Sequence, residues 1–284
     1  MNKKIAIVVD SACGPQKLKE SVDVSNVFLI PLLITTEDGR EIKDDENFKI
    51  EELEAIIKKN EDLKTSQTPP GMVLEKWDEI LNSYDYIINL PISSGLSGQY
   101  DKLCMLANDE KYKGRVFVCD TNGISLILYR YITIIQQRIN EGWDAEKIKN
   151  EIDEIASKVK GFIVVKSLKR LVKGGRVGAG VATLAKVLKI FPILEWNGRI
   201  EKAGKARTWK KAVDESIRMV SKIDTENKII DMGWSLQNED DKNYLLGELK
   251  KQGFEVRTIA VIPAVLTAHV GLDVFAIMKG IEVK

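Results

Sequence analysis

The feature that most constrains this chain is a repeated handover: a short apolar run, a cluster of hydroxyls and glycines, then helical spacing. It is clearest at Tyr86-Ile87-Ile88-Asn89-Leu90, a β-rich run of strand length. Pro91-Ile92-Ser93-Ser94-Gly95-Leu96-Ser97-Gly98 follows it, and helical spacing runs from Gln99 to Ala107. The same order recurs where Lys4–Val9 meets Asp10-Ser11-Ala12-Cys13-Gly14-Pro15, and where Arg115–Cys119 meets Asp120-Thr121-Asn122-Gly123. Strands alternating with helices specify a mostly parallel sheet with helices on both faces, and ligands of such sheets gather outside the carboxyl ends of the strands. Three polar strand ends then share one edge. Ser and Thr satisfy the free N–H groups of a helix N-terminus, and those same N–H groups attract a carboxylate or phosphate. The turn alone therefore carries two readings, a helix cap or an anion site. A nucleophile elbow is set aside, because Gly95-Leu96-Ser97-Gly98-Gln99 puts the second glycine of Gly-x-Ser-x-Gly one place early.

The rest of the first half fits the same scheme. Gln16–Ser21 reads as helical, Val27–Thr35 as a strand broken by Pro31, and Glu37-Asp38-Gly39-Arg40 as a hairpin-like turn. Ile50–Lys59 reads as an amphipathic helix. A second hydroxyl cluster, Lys64-Thr65-Ser66-Gln67-Thr68-Pro69-Pro70-Gly71, places prolines at the start of a helix over Met72–Asn82. Two further helices are expected over Ile124–Asn140 and Ala145–Val159.

Beyond Lys158 the pattern changes to short strand candidates at Phe162–Val165, Ile193–Trp196, Arg199–Lys202, Lys228–Gly233 and Phe254–Ile262, with fewer helices between them. The expected fold class is α/β with two domains. Residues 1–158 form an N-terminal, mostly parallel α/β/α sandwich and residues 159–284 a C-terminal α+β domain. Leu168–Lys189 reads as helical, interrupted by Lys173-Gly174-Gly175-Arg176-Val177-Gly178-Ala179-Gly180. The glycine spacing there fails both the dinucleotide fingerprint and the phosphate-binding P-loop, so no nucleotide site is expected.

Composition removes several function classes. Lys+Arg of 43 against Asp+Glu of 42 gives a formal net charge of +1, which leaves no global pull toward nucleic acid or an anionic membrane. Cys13, Cys104 and Cys119 stand in no Cys-x-x-Cys or Cys/His pairing, so neither zinc nor a disulfide framework is expected. The apolar run Ile5–Val9 is too short for a signal peptide and stops at Asp10. No later run approaches the roughly 20 residues of a membrane span. The expectation is a cytoplasmic protein without stable membrane insertion.

Five segments in order along nearly the whole chain resemble the DegV family, the fatty-acid-binding subunits of bacterial fatty acid kinase. They are Val8-Val9-Asp10-Ser11, Thr65-Ser66-Gln67, Ile92-Ser93-Ser94-Gly95-Leu96-Ser97-Gly98, Leu171-Val172-Lys173-Gly174-Gly175-Arg176-Val177-Gly178 and Ala268-His269-Val270-Gly271. The resemblance implies that one long-chain fatty acid lies in an apolar tunnel between the domains, its carboxylate bound by hydroxyls. A separate ATP-dependent kinase then makes the acyl phosphate used in phospholipid metabolism. The chain itself would have no catalytic centre, metal or cofactor. By position, Thr65 and Ser94 match the carboxylate-binding hydroxyls, with Ser93 and Ser97 as neighbours. Arg176 matches the Lys-Gly-Gly-Arg arginine and Arg207 a second basic position, for docking the kinase or holding the head group.

Two departures stand out. The family's Thr-Ser-Gln-Pro-Ser-Pro is here Thr65-Ser66-Gln67-Thr68-Pro69-Pro70, and its Ala-His-Thr-Gly-Pro-Gly is Ala268-His269-Val270-Gly271-Leu272-Asp273, with a bulky and an acidic residue at the last two turn positions. His269, the one histidine, suits either a structural role or a donor to a carboxylate. Asp10 would repel a bound fatty acid, so it is expected to turn away and cap the following turn. The competing reading is an enzyme, a phosphotransferase or hydrolase at the same hydroxyls. It lacks a base, a nucleophile motif and a metal cluster.

Overall fold

In a computed structural model, which describes residues 3–184 and 189–281, the chain divides into two compact units. Residues 3–48 and 65–158 form the first, and residues 49–64 and 159–281 the second.

The first unit is built on a four-stranded parallel sheet in the order β2-β1-β6-β7. Strand β1 (Ile5–Asp10) leads through two 3-10 turns into the single helical turn α1 (Leu18–Ser21), so the expected Gln16–Ser21 helix is only its last part. Pro31, which has no N–H to give a ladder, splits the apolar run that follows into β2 (Val27–Ile30) and β3 (Leu33–Thr36), and the two halves join different sheets. The turn at Glu37–Arg40 closes a hairpin from β3 to β4 (Glu41–Lys43), with Gly39 at φ 85°. Helix α2 (Ile50–Lys58) comes next in the chain but belongs with the second unit.

The chain continues through β5 (Leu63–Ser66), which completes a small sheet in the order β4-β3-β5, then α3 (Pro70–Leu81), β6 (Tyr86–Leu90), α4 (Gln99–Ala107), β7 (Val116–Val118), α5 (Leu126–Asn140) and α6 (Ala145–Ala156). Alternation sets the layers. Ala6, Val8 and Ile87 face α3 and α4, where they pack with Val73, Trp77, Ile80 and Leu103. Ile7, Val9, Ile88 and Leu90 are buried on the other face, the side of α5 and α6. Strands buried on both faces read as unbroken apolar runs, as they do here.

The second unit carries a six-stranded sheet in the order β10-β9-β8-β13-β11-β12, antiparallel except for the edge pair of β11 (Ile229–Trp234) and β12 (Glu255–Val261). The remaining strands are β8 (Gly161–Val165), β9 (Phe191–Trp196), β10 (Ile200–Ala206) and β13 (Val274–Lys279). Helices α9 (Trp209–Val220) and α10 (Glu239–Lys251) bury Val213, Ile217, Leu245 and Leu249 against Phe162, Ile230, Met232 and Phe275 of the sheet. The expected Leu168–Lys189 helix is two short ones, α7 (Lys169–Gly174) and α8 (Ala179–Leu184). Residues 185–188 lie outside the described residues. Helix α11 (Ala264–Val270) precedes β13.

A domain boundary at 158 places residues 49–64 in the N-terminal half, whereas they pack with the second unit. Polar ties explain it: Arg170 Nη2 donates to Glu61 O at 2.9 Å, Lys169 Nζ to Asn60 Oδ1 at 3.1 Å, and Lys173 pairs with Asp62. None of these partners is visible in a linear reading.

Candidate functional site

All four strands of the first sheet are parallel, so Asp10-Ser11, Pro91–Gly98 and Asp120–Ser125 share one edge. Hydrogen bonds tie these loops to one another. Thr121 Oγ1 donates to Pro91 O (2.7 Å), Ile92 N to Asp10 Oδ2 (2.6 Å) and Ser93 N to Gly123 O (3.0 Å). Ser125 N closes the circuit by donating to Ala12 O at 2.7 Å.

The three serines of the turn do different work. Ser93 is fully buried; its Oγ accepts from Gly95 N (3.3 Å) and its carbonyl from Leu96 N (3.0 Å). Ser97 Oγ accepts from the N–H of Gln99, the first residue of α4, at 3.2 Å. Ser94 alone is exposed, and its Oγ donates to Asp120 Oδ1 at 3.1 Å. Of the three hydroxyls, that of Ser94 is on the most exposed residue, Ser97 being half-buried.

The second hydroxyl cluster leaves β5 and meets the first at the head of α4. Gln99 Nε2 donates to Thr68 Oγ1 (3.1 Å), which donates to Pro31 O (2.9 Å). Gly98 lies so close to Gln67 that a Cβ there would stand 2.6 Å from Gln67 Nε2. Thr68, placed where the family has proline, thus links three loops. Thr65 is half-buried on β5, two residues before this junction. The sequence reading missed Gln67 and Gln99 as site residues. The Oε1 atoms of both are buried without a partner, and such acceptors cost about 1–3 kcal/mol each until a donor arrives.

Asp10 behaves as its sequence context requires. It is 2% exposed, and it caps the following turn by accepting from Ala12 N at 3.0 Å. Burial raises its carboxyl to about 7, against the two N–H bonds that lower it.

Arg176 and His269 come together in the second unit. Gly174, the last residue of α7, backs onto the imidazole, and a Cβ there would lie 2.5 Å from His269 Nδ1. Gly175 ends the helix in a left-handed conformation (φ 68°), and the half-buried Arg176 folds back to donate to Gly174 O. Burial first, and the Arg176 charge second, lower the His269 pKa to about 4. His269 is therefore a neutral donor or acceptor at pH 7 rather than a cation.

The unfolded histidine titrates near 6.5, so His269 leaves stability untouched above that pH and withdraws it as the pH falls from about 6.5 to about 4. Because this is the chain's one histidine, proton NMR of its ring gives the value directly. The ring should show no titration until the pH nears 4, and a midpoint at 6.5 would contradict its burial.

Arg207 stands elsewhere. It lines an open concavity with Lys205, Lys211, Asp214, Glu215 and Arg218, a set that includes neither Arg176 nor His269. The Asp273 departure is built in: at φ 62° it takes a left-handed conformation that a glycine would accept freely. Its Oδ1 accepts from Gln237 N (3.2 Å) and Lys166 Nζ (3.4 Å), and Lys166 also bonds to Asp241 at 2.8 Å.

Among the described residues, no group of three His, Cys, Asp or Glu side chains is placed to hold a metal ion, and no helix is long and apolar enough to cross a membrane.

A parallel sheet in one unit and a mostly antiparallel sheet in the other match the fold of solved structures from one family. The chain belongs to the DegV family, whose model, described as "Uncharacterised protein, DegV family", matches residues 4–280. It is 28% identical over 274 residues to a DegV domain-containing protein of Staphylococcus aureus, covering 95% of this chain and 96% of that one. Its fold matches that of a DegV family protein from Thermus thermophilus described for its fatty acid binding, with a TM-score of 0.83 and 27% identity over 97% of this chain and 98% of the other. A fatty acid binding DegV family protein from Streptococcus agalactiae matches with a TM-score of 0.85 and 25% identity over 98% and 99%.

Proposed function

We propose that this protein binds one long-chain fatty acid by its carboxylate and presents it to a separate ATP-dependent fatty acid kinase. The observation that carries the reading is the meeting of two hydroxyl loops at the head of α4, with Ser94 exposed at the strand edge. The T. thermophilus and S. agalactiae relatives, described as fatty acid binding, support the same ligand. Thr65 and Ser94 are the carboxylate donors. Ser93 and Ser97 shape the turn, and neutral His269 with Arg176 serves the head group.

Arg207 suits the docking role better than Arg176. It is exposed in a concavity with Lys205 and Lys211, where rim charges govern encounter with an acidic partner surface. In the turn, Ser94 Oγ donates to Asp120, and Ser93 and Ser97 Oγ accept backbone N–H groups, roles that suit a binding turn.

Native mass spectrometry of the purified protein, followed by titration with oleate, tests the binding. A retained or acquired fatty acid mass is expected, and Ser94→Ala should weaken oleate binding by about 1–3 kcal/mol, the worth of a hydrogen bond to a charged group. A protein that is empty and also rejects added oleate overturns the reading.

A further inference from the structure

Three consecutive backbone groups just before Ser94 are held from outside their own loop. Thr121 holds the Pro91 carbonyl, Asp10 the Ile92 N–H and Gly123 the Ser93 N–H. Of these holders only Asp10 is ionisable, and it is the only one that joins this loop to the end of β1. Its two oxygens are divided between two loops: Oδ1 takes Ala12 N at 3.0 Å and Oδ2 takes Ile92 N at 2.6 Å. Among the described residues no Lys, Arg or His bonds to it, so an ionised Asp10 is buried with no cation in contact.

Burying a charge in that way is costly, and a neutral side chain of the same shape would avoid the cost. What a neutral side chain cannot do is accept two N–H groups with two full acceptor oxygens. An asparagine offers one oxygen and one NH₂, and it sets a donor against one of the two backbone donors.

We infer that Asp10 is the positioning residue of the hydroxyl turn: its carboxylate fixes the Ile92 peptide, and with it the place from which Ser94 meets an anionic head group. The inference rests on the fatty acid reading above and adds a dependence on the ionisation of Asp10. The groups that face Asp10 reinforce this. Asp44, buried in the loop after β4, raises its proton affinity, and the Cys13 thiol of the adjoining 3-10 turn is itself pushed well above its usual value and stays neutral. Once Asp10 is protonated, one oxygen becomes a donor and the grip on Ile92 or Ala12 weakens. Oleate affinity should therefore fall as the pH drops through about 7, above the range in which a free carboxylate protonates.

The test is oleate titration of the wild type and of Asp10→Asn between pH 8.5 and pH 6, with the Ile92 amide proton followed by NMR in the wild type. The expected result has three parts. At high pH the variant binds about tenfold more weakly, the loss of one charge-assisted hydrogen bond. The pH step of the wild type is absent from the variant, and the loss is not additive with that of Ser94→Ala, since both act on one contact. A residue that served stability alone would lower the melting temperature without a pH step in affinity.

An affinity that rises as Asp10 protonates would mean that Asp10 acts by repelling the ligand, and this overturns the proposal. Equal affinity of variant and wild type at all pH values does the same. If Asp10→Asn does not fold, the wild-type pH profile and the Ile92 amide shift decide alone, and a flat profile rejects the role. If the wild type binds no oleate at any pH, the fatty acid reading fails instead. An Ile92 amide that titrates with Asp10 would still show the clamp.

Discussion

Trp77→Ala should lower the stability of the first unit by about 3–5 kcal/mol, the range for truncating a large buried aromatic. Trp77 is fully buried on α3, with Val73 and Ile80 four residues before and three after it on the same helix face. The Tyr112 ring meets it edge-on at 5.3 Å, and Ala6, Val8 and Ile87 of the sheet share its cluster. Its Nε1 is buried with no partner, so the loss comes from cavity and contact and from no hydrogen bond. That predicts a clear ordering. Trp77→Phe removes the stranded N–H and keeps much of the ring, so it should cost markedly less than the alanine variant. Urea denaturation followed by circular dichroism measures both, and an alanine variant within about 1 kcal/mol of wild type would contradict this packing.

Gly174→Ala should lower the melting temperature and weaken oleate binding by at least about tenfold, the equivalent of some 1.4 kcal/mol. Alanine is the better helix former by about 1 kcal/mol, so propensity alone predicts the opposite sign. Sterics decide: the new Cβ would lie 2.5 Å from Nδ1, 3.3 Å from Cε1 and 3.5 Å from Cγ of His269. These are ring atoms close to the backbone of a packed helix, so the imidazole has to be displaced. The Arg176 bond to the Gly174 carbonyl is disturbed with it. Adding His269→Ala should restore the melting temperature toward wild type without restoring binding. Normal binding by Gly174→Ala would overturn the head-group role proposed for His269.

The sequence announces local structure well and long-range partners poorly. The Tyr86–Leu90 strand and the Gln99–Ala107 helix agree with the structure to the residue, because apolar period and hydroxyl punctuation coincide there. Strand β13 is not legible in the sequence: Val-Phe-Ala-Ile-Met-Lys is a short apolar run without alternation, the pattern that does not separate a buried strand from a helix. The site divides in the same way. The bond from Gln99 N to Ser97 Oγ spans two residues and is legible as a local motif, whereas Ser94 reaches Asp120, 26 residues on, and Asp10 reaches Ile92, 82 residues on. The bond from Asp10 to Ala12 follows from its turn context, but the choice of Ile92 as its second partner depends on which strand ends the sheet brings side by side.

Residues 49–64 are synthesised between two parts of one unit yet belong to the other, and this dictates an order of events on the ribosome. Helix α2 leaves the exit tunnel with Leu53 and Ile56 uncovered and waits for α11, which packs on it and comes more than 200 residues later. At translation rates of about 5–20 residues per second, that wait lasts roughly ten to forty seconds. Throughout it, an apolar stripe in mid-chain is open to chaperones and to neighbouring nascent chains. A chain stopped at Lys158 would keep that stripe without the partners that cover it, so the first unit is obtained cleanly only by cutting residues 49–64 out of it.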